Sequence, residues 1–199
     1  ILGLSFFVSI GGLVVLCWLM SWFMKWSTAT SFALKAPHWL VVVLSLGIGF
    51  VVGVFPGWIA HQLSELFPAL VNNSALELVE KMLLDGPLLG RILSIAAICV
   101  GAPFLEELLF RGFLWTLFER TGNALFHRTL TAPNSSKPPL FGGYLAFILT
   151  SVGFAIFHMD RIQSTALLFT AFALGTVRLL SGSIWPCILI HFVNNTLAA

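Results

Sequence analysis

Residues 39 to 60 read WLVVVLSLGIGFVVGVFPGWIA, an apolar run without one charged side chain and with Trp39 and Trp58 near its two ends. About 20 such residues carry a helix across a hydrocarbon core, and tryptophan favours the two interfaces. The run is a membrane span, and it sets the reading of what flanks it. On its N-terminal side, residues 1 to 24 (ILGLSFFVSIGGLVVLCWLMSWFM) are equally free of charge and end at a polar loop with Lys25, Lys35 and Pro37. On its C-terminal side, residues 61 to 86 bring Glu65, Glu77, Glu80, Lys81 and Asp85, with Leu76, Val79, Met82 and Leu83 at helical spacing between them. That pattern predicts an amphipathic helix lying on the membrane surface.

Further along, residues 88 to 121 form a long apolar segment that holds Arg91, Glu106, Glu107 and Arg111, with Pro103 placed to kink it. One tilted span and two broken helices both suit it. Residues 122 to 140 (GNALFHRTLTAPNSSKPPL) have the composition of a loop outside the bilayer. Apolar runs at 141 to 158, 163 to 180 and 184 to 198 follow, joined by Asp160-Arg161 and by a Ser181-Gly182-Ser183 turn. The expected fold is all-α, a polytopic transmembrane helical bundle of about six spans plus the amphipathic helix. Residues 1–90 and 91–199 are read as parts of one integrated membrane domain.

Composition agrees. Of 199 residues, 58% are hydrophobic and 9% charged, where a soluble domain carries about a quarter charged residues. The net charge of +2 comes from ten scattered basic residues, which form no stripe for nucleic acid. Cys17, Cys99 and Cys187 each lie in an apolar run and read as core residues. Loops 25–38 and 119–140 hold more Lys and Arg than the opposite side, which has Lys81, Arg91 and Arg161, so the richer side is read as cytoplasmic. Opening on Ile1 rather than Met, the sequence is expected to be a piece of a longer chain. The expected location is integral and multi-pass, in a bacterial plasma membrane or an organelle membrane.

An ionisable residue inside a span costs roughly 2.5 to 3.5 kcal/mol, so each needs a partner or a function. Three clusters stand out: Glu106-Glu107-x-x-x-Arg111, Phe154-x-x-x-His158 and His191-x-x-x-Asn195. Helix neighbours diverge by about 100°, so the two acids face different ways, whereas Glu107 and Arg111 share a face. The guanidinium suits a buried clamp on Glu107, and Glu106 is left free to act as a general base on water, with His158 helping to orient it. His191 and Asn195, also on one face, offer N–H donors to a developing oxyanion. Phe154, one turn before His158, is expected to pack against the edge of its ring or the backbone below it and so to shape the site. The plainer readings are a structural ion pair for Glu107 with Arg111 and interhelical hydrogen bonds for His158, His191, Asn194 and Asn195. Arg91, Arg161 and Arg178 lie near segment ends and read as snorkelling to headgroups.

In order and context, these motifs resemble the CPBP (Abi) family of intramembrane proteases, which includes type II CAAX prenyl endopeptidases and bacteriocin-processing or immunity relatives. The resemblance extends to Leu108-Leu109-Phe110-Arg111-Gly112-Phe113 and to Gly182-Ser183-Ile184-Trp185-Pro186, and covers residues 95 to 199. It implies a peptide hydrolase acting on a membrane protein or lipidated peptide. Glu106 and His158 would activate water, His191 and Asn195 would hold the oxyanion, and Glu107, Arg111 and Phe154 would support them. No cofactor is required in the favoured, glutamic form. A zinc-dependent form would use Glu106, His158 and His191 as ligands. Two further readings are a non-catalytic membrane scaffold or immunity protein and an ion-coupled transporter. No matching pair of broken helices supports the transporter.

Overall fold

The computed structural model describes residues 2–71, 77, 81, 84, 87–130, 141–158 and 160–198. Among them the chain is helical throughout. Helix α1 is Leu2–Phe23, α2 is the single turn Thr28–Ser31, and α3 is Trp39–Leu66. Helix α4 runs unbroken from Leu88 to Leu130 in five pieces: α-helical Leu88–Ala96, a π turn Ala97–Gly101, α-helical Ala102–Glu107, a second π turn Leu108–Leu114, and α-helical Trp115–Leu130. Helices α5 (Phe141–Phe157), α6 (Arg161–Ser181) and α7 (Trp185–Ala198) complete it.

Among the described residues, three helices are long and apolar enough to cross a membrane: Trp39–Leu66, Leu88–Leu125 and Arg161–Ser181. Val8–Phe23 and Phe141–Phe157 are shorter apolar helices. Large apolar side chains such as Leu44, Phe50, Val51 and Trp58 stand exposed on α3, where lipid is the compatible solvent. The chain is a multi-pass membrane protein. The expected sixth span is a helix of 14 residues, a rise of about 21 Å, short of the hydrocarbon core of about 30 Å.

Two expectations are corrected. The second span continues to Leu66, with Pro56 inside the helix, so residues 61–66 extend the span and do not open a surface helix. The amphipathic helix expected over the rest of 61–86 lies mostly outside the described residues. The loop expected from residue 122 begins later, because α4 continues to Leu130; residues 131–140 lie outside the described set. A turn-like composition gave way there to helix propagation from the long apolar segment before it.

Several junctions follow their sequence chemistry. Asp160 caps α6, its carboxylate accepting from the Gln163 N–H at 2.7 Å. Gly182 ends α6 at φ +66°, the left-handed conformation that favours glycine, and its N–H bonds the Arg178 carbonyl. Helix α3 packs on α7 through Gly49-x-x-x-Gly53. A Cβ on Gly49 would lie 2.8 Å from Val193 Cβ, and one on Gly53 would lie 2.7 Å from Leu197 Cδ1. Small residues at this spacing let two helices in lipid approach backbone to backbone. The core cluster joins Cys17 of α1, Phe32, Leu109, Phe110 and Phe113 of α4, Phe154 of α5 and Ala171 of α6. All three cysteines are buried and free.

Candidate active site

The two adjacent acids sit at the end of the α-helical piece between the π turns of α4, and both are buried, Glu106 4% exposed and Glu107 fully enclosed. Their environments differ as the helical spacing requires. Glu107 Oε1 accepts from Arg111 Nη1 at 3.0 Å and from His191 Nδ1 at 3.0 Å. Glu106 Oε2 has no hydrogen-bond partner, and its close neighbour is His191 Nε2 at 3.8 Å, beyond hydrogen-bond length. His191 thus spans the two acids, anchored to one and facing the other. A carboxylate accepts only, so His191 Nδ1 carries the proton in that bond.

Arg111 is fully buried and turned inward by the second π turn. Its Nη2 donates to the Ala171 carbonyl of α6 at 3.1 Å, an oxygen that also accepts from Ser151 Oγ at 3.2 Å. Its guanidinium lies 4.4 Å from the centroid of the Phe154 ring. That ring is a hub. The His158 ring is 5.0 Å away and the His191 ring 5.5 Å, the latter edge-on. Phe154 brings His158, just past the end of α5, level with residues in the middle of α4 and α7. His158 Nδ1 bonds the Phe154 carbonyl at 3.0 Å. A carbonyl can only accept, so Nδ1 holds the proton and Nε2 of neutral His158 is left as an acceptor. Both His191 and His158 lie within electrostatic reach of the Glu106 carboxyl.

Asn195 is tied to the first π turn by a chain of consequences that begins at Pro103. In that turn the Ala102 N–H bonds the Ala97 carbonyl, five residues back. The matching partner for the Ile98 carbonyl would be the N–H of residue 103, which proline lacks. Asn195 Nδ2 fills the gap, donating to Ile98 O at 3.0 Å. Asn195 Oδ1 accepts from Asn194 Nδ2 at 2.9 Å, which fixes the way the amide faces. An amide nitrogen has two protons, and this bond uses one.

The structure therefore brings Glu106, Glu107, Arg111, Phe154, His158 and His191 together around one ring and one carboxylate pair, and attaches Asn195 beside them through α4. Among the described residues, no group of three or more His, Cys, Asp or Glu side chains is disposed to hold a metal ion. A family model described as type II CAAX prenyl endopeptidase Rce1-like matches residues 88–197. The chain belongs to that family. No curated protein and no solved structure matches it. Membership makes this CAAX endopeptidase relative a peptide hydrolase of the intramembrane class, and the matched segment contains all seven residues singled out from sequence.

Sequence reasoning misread Arg178. Expected to snorkel, it is buried at 7% exposure, with Nε donating to the Arg111 carbonyl at 2.9 Å. A signal was available, because Arg178 stands seven residues after Ala171 and so on the same face of α6. Arg91 donates to the Leu84 carbonyl.

Proposed function

We propose that this family member is an intramembrane endopeptidase that hydrolyses a peptide bond in a membrane-tethered or prenylated CAAX-type substrate. One observation carries the proposal. Each of two adjacent buried acids keeps an Oε2 with no hydrogen-bond partner, but Glu107 is pinned through Oε1 by Arg111 and His191, while Glu106 Oε2 faces His191 Nε2 at 3.8 Å with His158 also within electrostatic reach. A buried acceptor left unpaired is costly, about 1 to 3 kcal/mol, and is tolerated where chemistry uses it.

In this reading Glu106 takes a proton from water while His158 Nε2 accepts the other water proton as a hydrogen bond and aims the oxygen. The hydroxide attacks the scissile carbonyl carbon. His191 in its charged form donates from both nitrogens, one to Glu107 and the other to the oxyanion, and the second Nδ2 proton of Asn195 joins it. Collapse of the tetrahedral intermediate breaks the C–N bond, and the leaving amine takes the proton held by Glu106. The Arg111–Glu107 pair stays fixed throughout and keeps His191 in register. Water enters a site of this kind only where spanning helices line a cavity.

The substrate class is tested with purified chain in lipid nanodiscs and three versions of one CAAX-type peptide: prenylated, anchored by an apolar helix, and unanchored. Cleavage of the anchored forms, with the unanchored one spared, is expected. Equal cleavage of all three would contradict membrane tethering as the recognised feature.

A further inference from the structure

Arg178 and Arg111 make a crossed pair of contacts between α4 and α6. The side chain of Arg111 donates to the α6 main chain at Ala171, and the side chain of Arg178 donates to the α4 main chain at Arg111 itself. The Arg111 carbonyl is open to this donor because of the second π turn. In an α-helix it would accept from the Trp115 N–H, but that N–H bonds the carbonyls of Phe110 and Gly112. The Arg178 guanidinium also stands 5.2 Å from the centroid of the Trp115 ring, and Trp115 is itself 1% exposed. A cation buried over an aromatic face with a charge-assisted bond to one carbonyl has a defined position.

We propose that Arg178 is a positioning residue for the hydrolytic site. It holds the π-turn register at Arg111, and through the Arg111–Glu107–His191 chain it sets where His191 stands against Glu106. This inference rests on the reading of the site as hydrolytic. Three hydrogen bonds make the linkage, Arg178 Nε to Arg111 O at 2.9 Å, Arg111 Nη1 to Glu107 Oε1 at 3.0 Å and His191 Nδ1 to Glu107 Oε1 at 3.0 Å, and they end on the imidazole whose Nε2 faces Glu106 Oε2 at 3.8 Å. If the turn at Arg111 relaxes toward α-helical register, the residues after it rotate and Arg111 cannot keep both Glu107 and the Ala171 carbonyl.

Two measurements on the full chain in nanodiscs test this, with Arg178→Met, Arg178→Lys and, as a control on the same helix, the exposed Arg161→Met. The first is amide hydrogen exchange across 108–118. Arg178→Met is expected to speed it about tenfold or more, with 160–170 unchanged, while Arg161→Met leaves 108–118 as in the wild type. The second is steady-state cleavage of an anchored CAAX-type peptide. Arg178→Met is expected to lower kcat about 10- to 100-fold with KM held, because only the geometry of the reacting groups is disturbed. Arg178→Lys keeps a cation over Trp115 without the Nε donor, folds if Arg178→Met does not, and falls between the two. Unchanged exchange at 108–118 in both Arg178 variants overturns the proposal, as does a folded Arg178→Met with kcat within twofold of wild type. If wild type cleaves nothing, the hydrolytic reading fails by itself, and the exchange result still decides whether Arg178 holds the turn.

Discussion

Two adjacent carboxylates end in different surroundings. Helix geometry alone sends Glu107 toward Arg111 and Glu106 away from it, and the fold adds His191 to the same side of Glu107. The ion pair is enclosed on both sides, so its removal leaves a buried cation without its counter-charge. Glu107→Gln is therefore expected to destabilise the protein by about 3 to 5 kcal/mol, read as thermal unfolding in detergent. Glu106→Gln, which breaks no hydrogen bond at Oε2, is expected to unfold within a few degrees of wild type. Equal losses would show that the two acids share one structural role. The sequence disclosed this division because it lies within a single helix. It disclosed less of Arg178, whose partners are 63 and 67 positions away at Trp115 and Arg111, so that position near a segment end suggested lipid headgroups. Asn195 was chosen over Asn194 by spacing alone, and the two proved to act as a bonded pair.

At the scale of elements, α4 determines the site by its irregularity. Its two π turns flank the piece that carries both acids, and each leaves a carbonyl to be taken by a side chain from another helix: Ile98 by Asn195 and Arg111 by Arg178. Pro103 was legible as a source of distortion. The form of that distortion was not, because a kink and a π turn are alternative ways of accommodating a missing N–H. Pro103→Ala gives residue 103 an N–H able to serve the Ile98 carbonyl and so compete with Asn195. The cleavage rate is expected to fall about tenfold with stability kept or raised. Asn195→Ala is then expected to matter less in Pro103→Ala than in wild type, because the two changes act on one bond. Strictly additive effects in the double-mutant cycle would contradict the linkage. The overrun of α4 to Leu130 has the opposite lesson: all the Pro and Ser of 122–140 come after residue 131, and the first nine residues hold only Gly122 and Asn123 against the helix.

Across the whole molecule, the family match spans 88–197, yet the site is braced from outside it. The segment after α1 is tied across both ends of the matched region. Phe32 packs on Gly112, where a Cβ would lie 3.1 Å from its ring, the Ala33 carbonyl accepts from the Ile184 N–H, and the Lys35 carbonyl accepts from Ser183 Oγ. Helix α3 supports α7 along Gly49 and Gly53, behind the turn that carries His191. Hydropathy marked these N-terminal segments only as spans, since nothing in an apolar run says which neighbour it will meet. The spacing of Gly49 and Gly53 was the one local clue. The acids, the histidines and the hydrogen-bonded asparagines are thus held by helices from the full length of the chain, and the central claim concerns what that frame holds ready, a Glu106 carboxylate that activates water. The direct measurement is cleavage of a prenylated, membrane-anchored CAAX-type peptide by the purified full chain, wild type against Glu106→Gln, each with and without a zinc chelator. The account predicts cleavage by wild type with or without chelator and a rate at least about 10³-fold lower for a folded Glu106→Gln. Cleavage by Glu106→Gln at the wild-type rate, or loss of wild-type cleavage on chelation, would contradict it.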